Sequence, residues 1–252
     1  MQLTPILSDF DFKNTLNLLN IKKGDTLLIH SDIFGFGMPI ITPQIYLQTL
    51  CNILFEVVGE NGTIAMPTFT YSFCKGEIYD PQKSFSKMGS LNEFFRKNYA
   101  KRTLDPNFSY AIWGKKSDYL LNADTKETFG DDGVFARLRN IDAKLLDIGN
   151  TRAWTFMHYA EKIAKVSYRF DKKFNGQICN NNKIYDTYSV YFVRHLDKTS
   201  HINPIDPFIC ISKTLKIIHI NKCKFICFDL NEFFDFMVNQ LRQNEEIFLI
   251  KN

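Results

Sequence analysis

The chain has 252 residues, 45% of them hydrophobic and 15% aromatic, with a formal net charge of +4; this describes a globular protein long enough to bury a full core. The charge is too small for a nucleic-acid binder, and no basic stripe interleaves with aromatics. No apolar run is long enough to span a bilayer, and Met1 to Pro5 lacks a basic stretch leading into an apolar one, so the expectation is a soluble cytoplasmic protein without membrane insertion.

Asp9 to Leu19 has the helical spacing of Phe10, Phe12, Leu16, Leu18 and Leu19, and Lys23-Gly24-Asp25 turns the chain into a strand, Thr26 to His30. A glycine-containing loop follows, Ser31-Asp32-Ile33-Phe34-Gly35-Phe36-Gly37. Thr42-Pro43 reads as a cap followed by a first-turn proline, opening a helix with apolar positions from Ile45 to Val58. Glu60-Asn61-Gly62 then leads into a second strand, Thr63 to Pro67. Helix, strand, helix, strand predicts a three-layer α/β core with parallel neighbours. Gly89 or Ser90 caps a helix through Tyr99, Tyr110 to Gly114 is a strand, and Phe135 to Arg139 lies in a short helix before the strand Leu145 to Ile148. From Tyr168 the pattern changes to short β-rich runs, Tyr188 to Arg194, Leu215 to Ile220 and Phe225 to Phe228. A helix from Asp229 to Leu241 and a final strand, Ile247 to Ile250, close the chain. The predicted fold is one domain over residues 1–252, an α/β three-layer mixed sheet with a parallel N-terminal part and an antiparallel C-terminal part, in which 168–225 is the more antiparallel portion.

Six cysteines without Cys-x-x-Cys spacing read as reduced thiols. Cys223, Cys227 and His219 share a strand face because all occupy odd positions, so buried strand residues are favoured over a zinc site, and no metal is expected.

Thr155, His158 and Glu161 are three residues apart, so on a helix they form a ladder of hydroxyl, imidazole and carboxylate. The helix follows a glycine turn after an apolar strand, where open α/β sheets place ligands. Spacing alone allows two readings: a base whose tautomer is held by a carboxylate, or a core histidine on a face with Phe156, Tyr159 and Ile163. His30-Ser31-Asp32 closes the first strand, but adjacent strand residues point to opposite sides, so His30 and Ser31 do not form a nucleophile–base pair. In Asp105-Pro106-Asn107-Phe108-Ser109, Asp105 is a base or a turn cap. Between Thr151 and Gln177 the basic residues Arg152, Lys162, Lys165, Arg169, Lys172 and Lys173 outnumber Glu161 and Asp171.

These pieces together resemble the aminoglycoside 3-N-acetyltransferase family. The resemblance runs through Lys23-Gly24-Asp25 with Ile29-His30-Ser31, Gly59-Glu60-Asn61-Gly62-Thr63 with Met66-Pro67-Thr68-Phe69-Thr70, Tyr79-Asp80-Pro81, Met88-Gly89, and Asp105-Pro106 with Ser109. Phe129-Gly130, Phe135-Ala136-Arg137-Leu138 and Thr155 with His158-Tyr159-Ala160-Glu161 complete it. It implies a fold other than the GNAT fold, acetyl-CoA as co-substrate, and direct transfer to an amine with His158 as base and Thr155 near the thioester carbonyl. It also implies coenzyme contacts at His30, Ser31, Asp32, Phe34, Gly35, Thr68 and Ser109.

The chain departs from the antibiotic-modifying members at Asp105, where they tend to have histidine, and at Arg152, where they tend to have a small or amide residue. Asp105 therefore competes with Glu161 as the group that orients His158. Cations at Arg152, Arg169, Lys172 and Lys173 suit an anionic acceptor better than a polycation. The stretch from Ser167 to Gly176 is similar to the family branch associated with surface polysaccharides. The expectation is N-acetylation of a small-molecule amine, an amino-deoxy sugar linked to a nucleotide, with Tyr71, Arg152, Arg169 and Lys173 on the acceptor and 168–225 contributing to its site. Alternatives are an aminoglycoside acceptor, another acyl group, or a non-catalytic binding protein of the same fold; whether the protein is a homo-oligomer stays open.

Overall fold

The computed structural model describes residues 7–37, 41–149, 154–198, 205–220 and 222–249. In chain order the elements are α1 (Asp9–Leu18), β1 (Thr26–Ser31), α2 (Pro43–Val58), β2 (Thr63–Pro67), α3 (Ser90–Asn98), β3 (Lys101–Arg102), β4 (Tyr110–Gly114), α4 (Ser117–Leu121), α5 (Val134–Asn140) and β5 (Lys144–Ile148). They continue with α6 (Phe156–Ala164), β6 (Arg169–Asn180), β7 (Lys183–Arg194), α7 (Ile205–Ile209), β8 (Lys216–Ile220), β9 (Cys223–Asp229) and α8 (Leu230–Gln243).

Seven strands form one sheet in the order β3-β4-β2-β1-β5-β9-β8, and β6 and β7 form a separate two-stranded ribbon. The central pairs β1–β2 and β1–β5 are parallel. Both flanks are antiparallel, β4 and β3 on one side and β9 and β8 on the other. The mixed α/β fold is as expected, with antiparallel pairing also at the N-terminal flank. Alternation along the strands sorts the core into two clusters. Leu28, Ala65, Ile112, Leu145 and Ile226 pack with α5, α6 and α8 on one face. Leu27, Ile64, Met66, Ala111, Leu146 and Phe225 pack with α1, α2 and α3 on the other. Cys223 and Cys227 are buried strand residues of the second cluster, whereas His219 is exposed on β8 opposite Lys224 and does not share their face.

Local chemistry explains the helix starts. The Ser8 hydroxyl accepts from the Asp11 N–H at 3.1 Å, and Thr42 caps α2 with Pro43 in its first turn. The final strand expected at Ile247–Ile250 does not form among the described residues. Amides there are taken by turns, Glu246 N–H to the Asn244 side chain at 3.1 Å and Leu249 N–H to the Glu246 carbonyl at 2.9 Å, and Ile250 lies outside the described residues. The strand expected at Tyr188–Arg194 extends back to Lys183 and pairs in full register with β6. Asn181 and Asn182, at φ 50° and 61°, make the tight turn between the two. The ribbon docks where Gly176 lies against Phe73: a Cβ there would come within 2.7 Å of the ring. No helix among the described residues is long and apolar enough to cross a membrane.

The ends of β1 and β5 approach very closely. Asp32 N–H donates to the Ile148 carbonyl at 2.7 Å, and Gly149 has φ +89° with its missing Cβ pointing 1.8 Å from the Asp32 carbonyl oxygen. Gly149→Ala would impose a left-handed conformation, costing roughly 1–3 kcal/mol, in addition to a backbone clash. At about 2–4 °C per kcal/mol, Tm should fall by several degrees; an unchanged Tm would contradict the tight crossing.

Candidate active site

The carboxyl ends of β1 and β5 carry the groups of interest, and strand parity decides which way each points. His30 shares the face of Leu28 and stands opposite Asp147 in the β1–β5 register. Its imidazole is buried, its Nε2 has no hydrogen-bond partner among the described residues, and burial lowers its pKa to about 4. Ser31 points the other way, its hydroxyl donating to Asn92 of α3 at 2.6 Å, while the Asn92 amide donates to the Pro67 carbonyl at 2.8 Å. His30 and Ser31 thus occupy opposite faces. Beyond them Asp32 accepts from the Phe34 N–H at 3.0 Å, and Phe34 is 93% exposed at the tip of the loop beside Gly35.

The start of α6 is anchored by Trp154, whose indole N–H donates to Asp147 at 2.9 Å and whose ring packs on Phe228 and Phe233. Thr155 is the N-cap residue, but its hydroxyl makes no capping bond. One turn on, Nδ1 of His158 lies 2.6 Å from Oε2 of Glu161, leaving Nε2 as the ring's other nitrogen. The His158 side chain is 25% exposed and that of Glu161 3%. The Tyr168 hydroxyl donates to Oε1 of Glu161 at 2.8 Å, and Nε of Arg169 lies 2.7 Å from Oε2. Burial by itself raises the Glu161 pKa, but His158, Arg169 and Tyr168 more than offset it and hold the carboxyl below its ordinary range.

Asp105 makes no contact of this kind. Its Oδ1 accepts from the N–H groups of Asn107 at 2.9 Å and Phe108 at 3.0 Å, and its Oδ2 takes the Thr128 hydroxyl. Burial raises its pKa to about 6 against those hydrogen bonds. It organises the turn, and Glu161 is the carboxylate on the histidine. Thr68 and Ser109, expected on the coenzyme, are fully buried across the β2–β4 junction, where both hydroxyls accept from Nε of Arg102, at 3.0 and 3.1 Å. Antiparallel pairing brings them together there, and Arg102 of β3 ties them to the edge strand.

The wall beside the imidazole is aromatic. Phe129 meets His158 edge-on at 6.2 Å and Phe108 at 5.1 Å, and Phe108 meets Tyr191 of β7 at 4.8 Å. Tyr71, at φ 58°, is half-exposed, and Tyr191 and Cys74 bear electrostatically on its phenol, which burial raises above its ordinary pKa. Two acceptor expectations shift. The Arg169 guanidinium is buried on Glu161 and does not point into open space. Lys173 lies 4.0 Å from the Tyr188 ring on the strand face it shares with Arg169 and Asp171, whereas Lys172, opposite Tyr191 in register, acts on Cys74 from the other face. Arg152 lies outside the described residues. The supporting residues Asp147, Trp154 and Tyr168 were not picked out from sequence, although a lone carboxylate within Leu145-Leu146-Asp147-Ile148 signals a buried polar group in need of a partner.

The three-layer mixed α/β fold is that of aminoglycoside acetyltransferases and is distinct from the GNAT fold. The chain belongs to the aminoglycoside 3-N-acetyltransferase family, which matches residues 28–242. The SPbeta prophage-derived aminoglycoside N(3')-acetyltransferase-like protein YokD of Bacillus subtilis (strain 168) is 27% identical over 177 residues, 58% of this chain and 61% of that protein, so the match spans about three fifths of the relative's length. The crystal structure of YokD superposes with TM-score 0.80 at 21% identity, covering 96% of both chains. AAC-IIIb, solved as a binary complex with CoASH, superposes at 0.78 with 19% identity over 94% of this chain and 96% of that one. Sisomicin-bound AAC-VIa gives 0.80 with 19% identity over 95% and 99%.

Because the folded-state pKa of Glu161 is depressed, its contribution to stability is present above the unfolded value and lost as pH falls through the folded one. Glu161→Gln leaves the buried Arg169 without its counter-charge and should cost about 3–5 kcal/mol at pH 7. Denaturant midpoints should show this deficit narrowing as pH drops below the ordinary carboxyl value of 4.5; a deficit independent of pH would refute the pairing.

Proposed function

We propose that this protein transfers the acetyl group of acetyl-CoA to the primary amine of an amino-deoxy sugar carrying phosphate, as in a nucleotide-linked sugar. The observation that carries the reading is the charge inventory around His158. Of the nearby carboxylates, Glu161 is bound to His158, Tyr168 and Arg169, and Asp105 to its own turn and Thr128. Asp171 is tied to Lys162. Among the described residues, Lys172, opposite Tyr191 in register and 5.0 Å from the Phe174 ring, has no ion-pair partner. A polycation needs acidic walls, whereas a phosphate ester beside Lys172 and a sugar ring against Tyr71, Phe108 and Tyr191 match the groups present.

In the proposed reaction the acceptor nitrogen attacks the thioester carbonyl carbon, the C–S bond breaks, and coenzyme A leaves as thiolate. Nε2 of His158 takes the proton from the nitrogen, and Glu161 stabilises the imidazolium that forms. The uncapped Thr155 hydroxyl is the donor for the developing oxyanion. No covalent intermediate on the protein is required, since alignment and proton removal suffice. Coenzyme A runs past the Ser31–Gly37 loop, and its phosphates reach a groove of about 640 Å³ whose lining includes Gln44, Phe85, Lys87 and Lys97. That groove adjoins the loop, since Gly89 on its rim lies against the Ser31 carbonyl.

A second reading, acetylation of an aminoglycoside, is favoured by the family's name and by the sisomicin-bound neighbour. Thiol release from acetyl-CoA separates the two when measured with a nucleoside-diphosphate amino sugar, the same sugar without nucleotide, and sisomicin. The expected order places the nucleotide-linked sugar first. Lys172→Ala should lower its kcat/KM about tenfold, or about 1.4 kcal/mol, with little effect on the free sugar. His158→Ala should lower every rate by about 100- to 10,000-fold. Turnover of sisomicin alone would establish the second reading, and full activity of His158→Ala would remove the base.

A further inference from the structure

Glu161 has more partners than the orientation of one imidazole requires. Its Oε1 accepts from Tyr168, and its Oε2 faces both Nδ1 of His158 at 2.6 Å and Nε of Arg169 at 2.7 Å. The Arg169 side chain is 4% exposed, and its Nη1 donates to the Phe192 carbonyl at 3.2 Å. The Nε–H is not aimed along the short contact, so Arg169 meets Glu161 as a charge more than as a directed donor. A guanidinium stays protonated at every pH at which a protein folds, so a fixed positive charge sits on this oxygen whatever the state of the imidazole.

We propose that Arg169 is a positioning residue for the transfer step: it shares the negative charge of Glu161 with His158, so that the carboxylate orients the ring without driving it to imidazolium before the amine arrives. The inference rests on His158 being the base. A carboxylate that answers to an imidazole alone favours the charged ring, and a charged ring accepts no proton. With Arg169 on the same oxygen, part of that attraction is already satisfied. Tyr168 acts on the other oxygen as a neutral donor, its phenol pushed far above the ordinary range by burial and then by Glu161.

The other charged or titratable groups around the pair do not substitute for Arg169. On α6, Lys162 is tied to Asp171 of β6. On β7, Tyr191 and Arg194 stand near Arg169, and in the 3-10 turn Phe73–Lys75, Cys74 faces Tyr191. After α8, Glu245 accepts from Ser167 and bears on Tyr168. None of these puts a second carboxylate on the imidazole. Because Arg169 opens β6, the same ion pair also fixes the root of the ribbon that carries Lys172 and Tyr191.

The test is an NMR titration of the five histidines in the parent, Arg169→Met and Arg169→Lys, with His158 assigned by its loss in His158→Ala. Arg169→Met should raise the His158 midpoint by about one pH unit, a tenfold change in proton affinity. Arg169→Lys, which keeps the charge, should restore most of the parent value, and the acid limb of kcat/KM should move with the midpoint. An unmoved His158 midpoint in a folded Arg169→Met protein overturns the proposal. If Arg169→Met does not fold, Arg169→Gln decides: removing the charge while keeping amide donors should raise the midpoint by a similar amount, and no shift overturns the proposal. A shifted midpoint together with full transfer activity in His158→Ala leaves the charge sharing standing and removes the base reading instead.

Discussion

A carboxylate withdrawn almost completely from water remains charged only when its surroundings answer it, because desolvation alone costs several kcal/mol. Glu161 is in that position, and its three answering groups come from three places: His158 from one turn earlier on its own helix, Tyr168 from the chain reversal, and Arg169 from the first residue of the ribbon. The arrangement therefore ties an imidazole, a helix and the ribbon to one pair of oxygens. Displacing any of the three would leave a buried charge without its partner, so the imidazole geometry and the ribbon's attachment stand together.

The sheet supplies the fixed frame for that group. Parallel strands β1 and β5 end side by side, and the close crossing at Asp32 and Gly149 sets where the chain leaves for α6. Trp154 then nails the helix start back to Asp147, with its ring in the aromatic core of α8. By alternation, His30 faces the α6 side while Ser31 faces α3, so the mouth of β1 has a buried histidine on one face and a polar edge beside the groove at Lys87 and Lys97 on the other. The proposed coenzyme path and the proposed base thus lie on either side of a single strand end.

Much of this was legible in the sequence where one rule dominates. The strands β1, β2 and β5 are short apolar runs buried on both faces, α2 announces itself by Thr42-Pro43, and the spacing of three puts His158 beside Glu161 before any fold is known. What was not legible depends on distant pairing. Arg169 reaches Glu161 only because Lys165, at φ 60°, turns the chain back, and nothing local distinguishes that arginine from one facing solvent. Thr68 and Ser109 meet across β2 and β4 in a register no composition reveals. Strand β6 gives a weak signal because Lys172, Lys173, Asn175 and Gln177 are exposed along most of its length.

The central claim is that Glu161 holds the His158 ring with its proton on Nδ1 and its lone pair on Nε2, toward the acceptor. Nitrogen-15 NMR of the histidine ring at neutral pH reports this tautomer directly, since protonated and bare ring nitrogens resonate far apart. The account predicts a protonated Nδ1 and a bare Nε2 for His158 in the free protein. A proton found on Nε2 with Nδ1 bare would contradict it.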